Sequence, residues 1–285
     1  MVKRTEASHR RKTHKPRTAR EKSAVYKTTP RPRLTRAEAR AVADFRACLK
    51  EILPNGELRS LILYGSKARG DARPGSDIDL LVVYDSARGD KKDAIWDAAY
   101  EICTSSETAP DLQPFVLSKT ELVQDVALGM PLLQNVAREG IVLEGDTVKP
   151  QEMDRKHWTQ VYIQDAKQQL DSARVLLERG DIRRAISLAY FIYLDAARAA
   201  LISKGIAPQS HAGTNTLFGL HFIKTGLLPK KFGPHFGRLE QDRLEATYAK
   251  KKQYTKEDAD RALNIAEELV IAVEGLIPTL LADEE

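Results

Sequence analysis

The chain has 285 residues, 42% apolar and 30% charged, which is enough for two ordinary domains with separate cores and excludes a fibrous or wholly disordered class. Its two cysteines, Cys48 and Cys103, lack CxxC spacing, which argues against a disulfide framework or a structural zinc site and for a reducing, cytoplasmic setting. The net charge of +5 hides a segregation: residues 1–33 carry twelve Lys/Arg against Glu6 and Glu21, leaving 33 basic and 38 acidic side chains elsewhere, a net of −5.

Residues 1–34, with prolines at 16, 30 and 32 and few apolar side chains, bury too little surface to offset their ordering entropy, and read as a disordered basic tail. Such an arm holds phosphate backbones without reading sequence, so nucleic-acid contact through residues 1–33 is one expectation, and a solvated extension without a role is the other. No apolar signal core opens the chain, and no stretch is expected to reach the ~18 residues of a membrane span, so no membrane partner is expected.

Thr35 followed by Glu38 has the form of a capping box and opens a helix over about 35–52, which Pro54-Asn55-Gly56 stops. Leu58–Tyr64 reads as an apolar strand ending in Gly65-Ser66, and Asp77–Tyr84 as a second. After a helix around 90–105, LQPFVLS suggests a third strand, in which Pro114 favours an edge or a strand start. Ser118 with Glu121 forms a second capping box, opening a helix expected to run to about Arg138, before Gly140 and the short IVLEG.

From about Gln151 the texture becomes that of long amphipathic helices. One is expected over 160–179. A second follows N-cap Asp181 with an apolar stripe through Tyr190 and Tyr193, whose spacing is that of a buried core face, and ends at Gly205. Two more are expected at roughly 236–250 and 255–280, after a Gly/Pro-rich connection at 226–237. The fold class is a mixed α/β half (35–148) followed by an all-helical half (155–283).

Asp77 and Asp79, two apart on a strand, project from the same face, where carboxylates repel unless a cation lies between them. Hard oxygens of this kind suit Mg²⁺, which completes its shell with water and substrate phosphates, so a nucleoside triphosphate is the expected partner. Gly65 lets backbone approach a phosphate, Ser66 offers a hydroxyl, the following KARGDA can begin a helix, and Arg69 supplies a cation for the triphosphate.

The wording GSKARGDARPGSDIDLLVV resembles the signature of the DNA polymerase β nucleotidyltransferase superfamily, in its minimal branch, over about residues 40–145. The resemblance implies an α+β domain with a mixed sheet flanked by helices. It also implies two Mg²⁺ ions held by Asp77 and Asp79, and attack of an acceptor hydroxyl on the α-phosphorus with pyrophosphate leaving. A third carboxylate is often present in that family, and Asp111 is the nearest by position, although Pro110 and Pro114 flank it and the next residue on its face is Gln113. A loop aspartate before an edge strand is the other reading of Asp111.

Residues 157–280, from GDIRRAISLAYFIYLDAARAALISKG through RLEATY, resemble the HEPN helical-bundle family, commonly encoded beside minimal nucleotidyltransferases. Ribonucleases of that family carry Arg, four to six residues, then His. Here Arg243 is followed by Tyr248, and a tyrosine titrates too high to move a 2′-hydroxyl proton near neutrality. The resemblance therefore points to a nucleotide- or partner-binding bundle, or a homodimer platform, to which His211, His221 and His235 could contribute a pocket. In related two-component systems the transferase modifies its HEPN partner, which makes Tyr248 a conceivable target.

The leading expectation is an Mg²⁺-dependent transferase moving AMP from ATP, or another NMP, to a hydroxyl on protein, RNA or a small molecule, in a toxin–antitoxin-like setting. The alternatives are antibiotic nucleotidylation, disfavoured by the only mildly acidic body, and a non-catalytic nucleotide- or nucleic-acid-binding regulator.

Overall fold

The computed structural model describes residues 34–85, 87, 89–249 and 252–282. The basic tail, and the nucleic-acid contact expected of it, lie outside the described residues.

Both capping boxes form. Thr35 Oγ1 accepts from the Glu38 amide at 3.2 Å while Glu38 returns a carboxylate to the Thr35 amide at 2.8 Å, opening helix α1, Arg36–Ile52. Strands β1 (Leu58–Leu63), β2 (Ile78–Tyr84), β3 (Leu112–Ser118) and β4 (Ile141–Gly145) make a mixed sheet in the order β3-β2-β1-β4. The β1 pairings with β2 and β4 are antiparallel, and β2 with β3 is parallel, joined by the crossover helix α3, Lys92–Cys103. Pro114 sits in the edge strand β3, as its missing amide requires.

Alternation along β2 divides the core in two. Ile78, Leu80, Val82 and Tyr84 pack with Phe45 and Leu49 of α1 and Ile95 of α3, whereas Leu81 and Val83 pack with Leu117, Leu133 and Val136 on the other face. Asp79 therefore projects to the second face, at the strand's mouth.

The helix expected to run from Ser118 to Arg138 is two helices, α4 (Lys119–Ala127) and α5 (Pro131–Glu139). Gly129 between them has φ +57°, and a Cβ there would fall 2.5 Å from Glu152 O and 2.6 Å from Met153 Cα. The break receives the connecting segment: the Gln151 amide donates to Val126 O at 3.0 Å and the Asp154 amide to Leu128 O at 3.2 Å. The Trp158 indole donates to the same Leu128 carbonyl at 2.8 Å, seating the helical half on the first.

In that half Asp154 caps α6, Arg155–Glu178, which starts earlier than expected, and Asp181 caps α7, Ile182–Ser203. Against expectation, α7 is long and apolar enough to cross a membrane by length and composition, but 78% of that window is buried inside the protein, packed by α6 and by the later helices. Helix α8 (His211–Phe218) runs into a π-helical turn, Gly219–Ile223. Helix α9 (Phe232–Tyr248) begins ahead of the expected position, with Gly233 and Pro234 in its first turn, where a missing amide costs little. Helix α10 spans Lys256–Ala282.

Arg183 holds the end of α9. Its guanidinium donates to the carbonyls of Ala246 (2.9 Å), Lys252 (2.7 Å), Glu245 (3.0 Å) and Ala249 (3.0 Å), clamping the last turn of α9 to the segment that follows it. A lysine has no planar fork to span them. Arg183→Lys is expected to cost about 2 kcal/mol and Arg183→Ala about 3 kcal/mol in denaturant unfolding, with hydrogen exchange quickening at the C-terminal turn of α9.

Candidate active site

At the end of β1 the chain passes through Tyr64, in extended conformation, to Gly65 at φ +70°, where the five-residue helix α2, Gly65–Arg69, begins. The Tyr64 amide donates to Asp79 O at 3.0 Å, so the turn and the mouth of β2 are locked side by side. A Cβ on Gly65 would lie 2.1 Å from Asp79 Oδ2. The carboxylate occupies the space a side chain would need, which is why only glycine serves here.

Asp79 is half-buried and Asp77 exposed. The Asp79 carboxyl is pushed up to about 6, chiefly by burial and then by the charge of Asp77; Arg69 pulls it down and Glu139 adds to the rise. Burial, then the charge of Asp79, also push the Tyr64 hydroxyl up. Ser66 Oγ makes no hydrogen bond with the described residues, whereas the neighbouring Lys67 is buried and paired with Glu38. The structure thus brings Asp79, the Gly-Ser turn and Arg69 together, with the charge of Asp77 acting on Asp79.

Glu139, which sequence reasoning missed, belongs to the same constellation. It is the last residue of α5, 7% exposed, and accepts from Arg69 Nη1 at 2.7 Å. Its other oxygen accepts from Gln209 Nε2 of the helical half at 2.6 Å. Asp71, 3.2 Å from Arg69 Nε, holds a second edge of the guanidinium.

Asp111 lies one residue ahead of β3. The register that pairs Ile78 with Leu112 and Asp79 with Gln113 places it beside Asp77. Its Oδ1 accepts from Gln113 Nε2 at 3.1 Å and lies 3.8 Å from Cys103 Sγ. Among the described residues no three or more His, Cys, Asp and Glu side chains gather as a metal cage, so Asp111 does not complete one with the pair.

The pair alone fits a divalent cation. Both donors are hard oxygens, they stand two residues apart at the start of β2, and the charge of Asp77 raises the cost of ionising Asp79, a penalty that a cation between them removes. The absence of a side chain at Gly65 is what lets the Asp79 carboxylate lie against the backbone of the turn.

The helical half has a polar cluster of its own. Tyr190, fully buried as its spacing predicts, exchanges a hydrogen bond of 2.9 Å with His211 Nδ1. The Arg243 guanidinium lies 5.1 Å from the Tyr190 ring and 5.7 Å from Phe191, its Nε buried without a hydrogen-bond partner. Burial, then Arg198 and Arg243, push the His211 pKa down. Of the three histidines singled out, only His211 joins this cluster.

Residues 42–125 match the nucleotidyltransferase domain family, and residues 159–276 match the HEPN domain family. The two matched segments lie in the order of the expected fusion, a nucleotidyltransferase domain followed by a HEPN domain. A UPF0332 protein of Pyrococcus horikoshii is 36% identical over 90 residues, covering 32% of this chain and 63% of its own length, so this chain spans less than two thirds of that relative. A Methanocaldococcus jannaschii protein, named as a candidate toxin, is 29% identical over 128 residues, 45% of this chain and 95% of its own. Among solved structures, a spectinomycin adenyltransferase from Enterococcus faecialis aligns over 83% of this chain and 99% of its own, at 12% identity and a TM-score of 0.48.

Within the HEPN half, Arg243 and Tyr248 do not form a dyad. Five residues on a helix turn about 140° beyond one full turn; Arg243 lies over the buried Tyr190 ring while Tyr248 is 73% exposed at the end of α9.

Proposed function

We propose that the protein transfers a nucleoside monophosphate, AMP from ATP in the first instance, to an acceptor hydroxyl. The observation that carries this reading is the placement of Asp79 against Gly65, with the charges of Asp77 and Arg69 acting on it. In this reading Asp77 and Asp79 hold Mg²⁺, two ions by analogy with the family. Bound metal supplies charge neutralisation at the attacking oxygen and at the leaving pyrophosphate.

The chain's own residues do the rest. Gly65 lets Asp79 lie against the turn, Ser66 Oγ and Arg69 donate to the oxygens of the triphosphate, and burial around Asp79 strengthens these interactions by excluding water. The acceptor oxygen bonds to the α-phosphorus as the bond to the β-phosphate oxygen breaks. Asp111, beside Asp77 in register, is assigned the acceptor side, as a base for the hydroxyl proton rather than as a metal ligand. The M. jannaschii relative's name supports a toxin–antitoxin setting, and the exposure of Tyr248 makes its hydroxyl one acceptor to be checked.

The test is pyrophosphate release from each NTP with Mg²⁺, followed by mapping of α-phosphorus label on the chain and on added RNA. Turnover is expected with ATP above the other nucleotides. Wild-type release that equals that of an Asp77/Asp79 double variant would sink the transferase reading and leave a nucleotide-binding regulator.

A further inference from the structure

The ion pair between Arg69 and Glu139 is an unusual use of a helix end. A buried carboxylate at the last residue of α5 faces the negative pole of the helix rather than the positive one that usually hosts an acid. What the acid does there is hold two partners. One oxygen takes Arg69 Nη1 at 2.7 Å and the other takes Gln209 Nε2 at 2.6 Å, from the segment joining α7 to α8.

The guanidinium is planar, so fixing two of its nitrogens fixes the direction of the third. Glu139 holds Nη1 and Asp71 holds Nε, while Nη2 donates to no atom of the described residues. Gln209 lies two positions before His211, whose ring contacts Tyr190 in the cluster of the HEPN half. The backbone of residues 209–211 thus links that cluster to Glu139, which holds Arg69, whose charge acts on Asp79.

Building on the nucleotidyltransferase reading above, we propose that Glu139 is a positioning residue: it aims the free edge of Arg69 at the triphosphate, and through Gln209 it ties that aim to the seating of the HEPN half. The grip on the phosphates and the docking of the second domain then depend on one carboxylate.

Binding of Mg-ATP and of AMP to the full chain by calorimetry, with hydrogen exchange over residues 205–211 and pyrophosphate kinetics alongside, tests this. Glu139→Gln is expected to weaken ATP about tenfold and AMP less than about twofold, raising KM more than it lowers kcat. Arg69→Ala should do the same, and the double variant should bind ATP no more weakly than the worse single one, because the two act as a unit. Gln209→Ala, at an exposed position, is expected to quicken exchange over 205–211 and weaken ATP about threefold, and it carries the test if the Glu139 variant does not fold. Unchanged ATP affinity in Glu139→Gln, additive losses in the double variant, or quicker exchange in Gln209→Ala without loss of ATP affinity would each overturn the proposal. If ATP binding responds as stated but pyrophosphate release does not depend on Asp77 and Asp79, the transferase reading fails and the positioning role stands. If release depends on the aspartates but Glu139→Gln binds and turns over ATP as wild type does, the positioning role fails and the transferase reading stands.

Discussion

Asparagine at Asp77 or Asp79 is expected to lower pyrophosphate release by about a thousandfold or more, since on the proposed reading it removes a charged metal ligand from the point where transition-state charge must be neutralised. The fold should survive, and for Asp79→Asn it should become more stable. The Asp79 carboxyl rises from its ordinary 3.8 to about 6 in the folded chain, through burial and then the charge of Asp77. The folded state therefore holds this proton more tightly than the unfolded state does. Its contribution to stability is full below about pH 4 and is lost as pH rises through 6. After discounting for partial exposure, the loss is about 1–2 kcal/mol. Denaturant unfolding of the metal-free proteins between pH 4 and 8 is expected to show Asp79→Asn gaining on wild type as pH rises. Mg²⁺ with nucleotide should close the gap by stabilising wild type alone. A variant less stable than wild type at pH 7.5 would refute the repulsion.

Alanine at Gly65 is the second large effect. The new methyl would meet Asp79 Oδ2 at 2.1 Å, and φ +70° is disfavoured for any residue with a Cβ. Something must shift, and the nearest movable group is the carboxylate. Gly65→Ala is expected to cost about 2 kcal/mol of stability and about a hundredfold or more in turnover. Gly75→Ala serves as a control: φ there is +79°, but a Cβ would meet nothing within 4 Å. It should cost stability by strain alone, with turnover close to wild type. Equal losses of activity in the two variants would place the sensitivity in the backbone rather than in the position of Asp79.

The acidic pair was legible because strand alternation is local: two aspartates two apart, next to a glycine-serine turn, need no tertiary information to be placed on one face. Pro114 was legible for the same reason, since a missing amide restricts where in a sheet a residue can stand. Glu139 was not. It sits in an ordinary amphipathic run, NVAREG, and its partners Arg69 and Gln209 are each 70 positions away. The one local sign was an acid at a helix C-terminus, against the dipole. The break between α4 and α5 has a local sign in Leu128-Gly129-Met130-Pro131, which the expectation of one helix to about Arg138 did not use. What decided it was the segment 151–153 lying against Gly129, a contact outside the reach of periodicity. The spacing of Tyr190 correctly gave a buried face, yet said nothing of a hydroxyl joined to a histidine 21 residues on.

The position of Pro114 on β3 bears on how the protein behaves in a crowded solution. An open sheet margin is a template on which a foreign strand can be recruited, and a proline breaks the row of donors that recruitment needs. The opposite margin, β4, is five residues long and out of step with its neighbour between Leu61 and Ile62. Neither border offers a long, regular ladder, so the first half resists growing by strand addition.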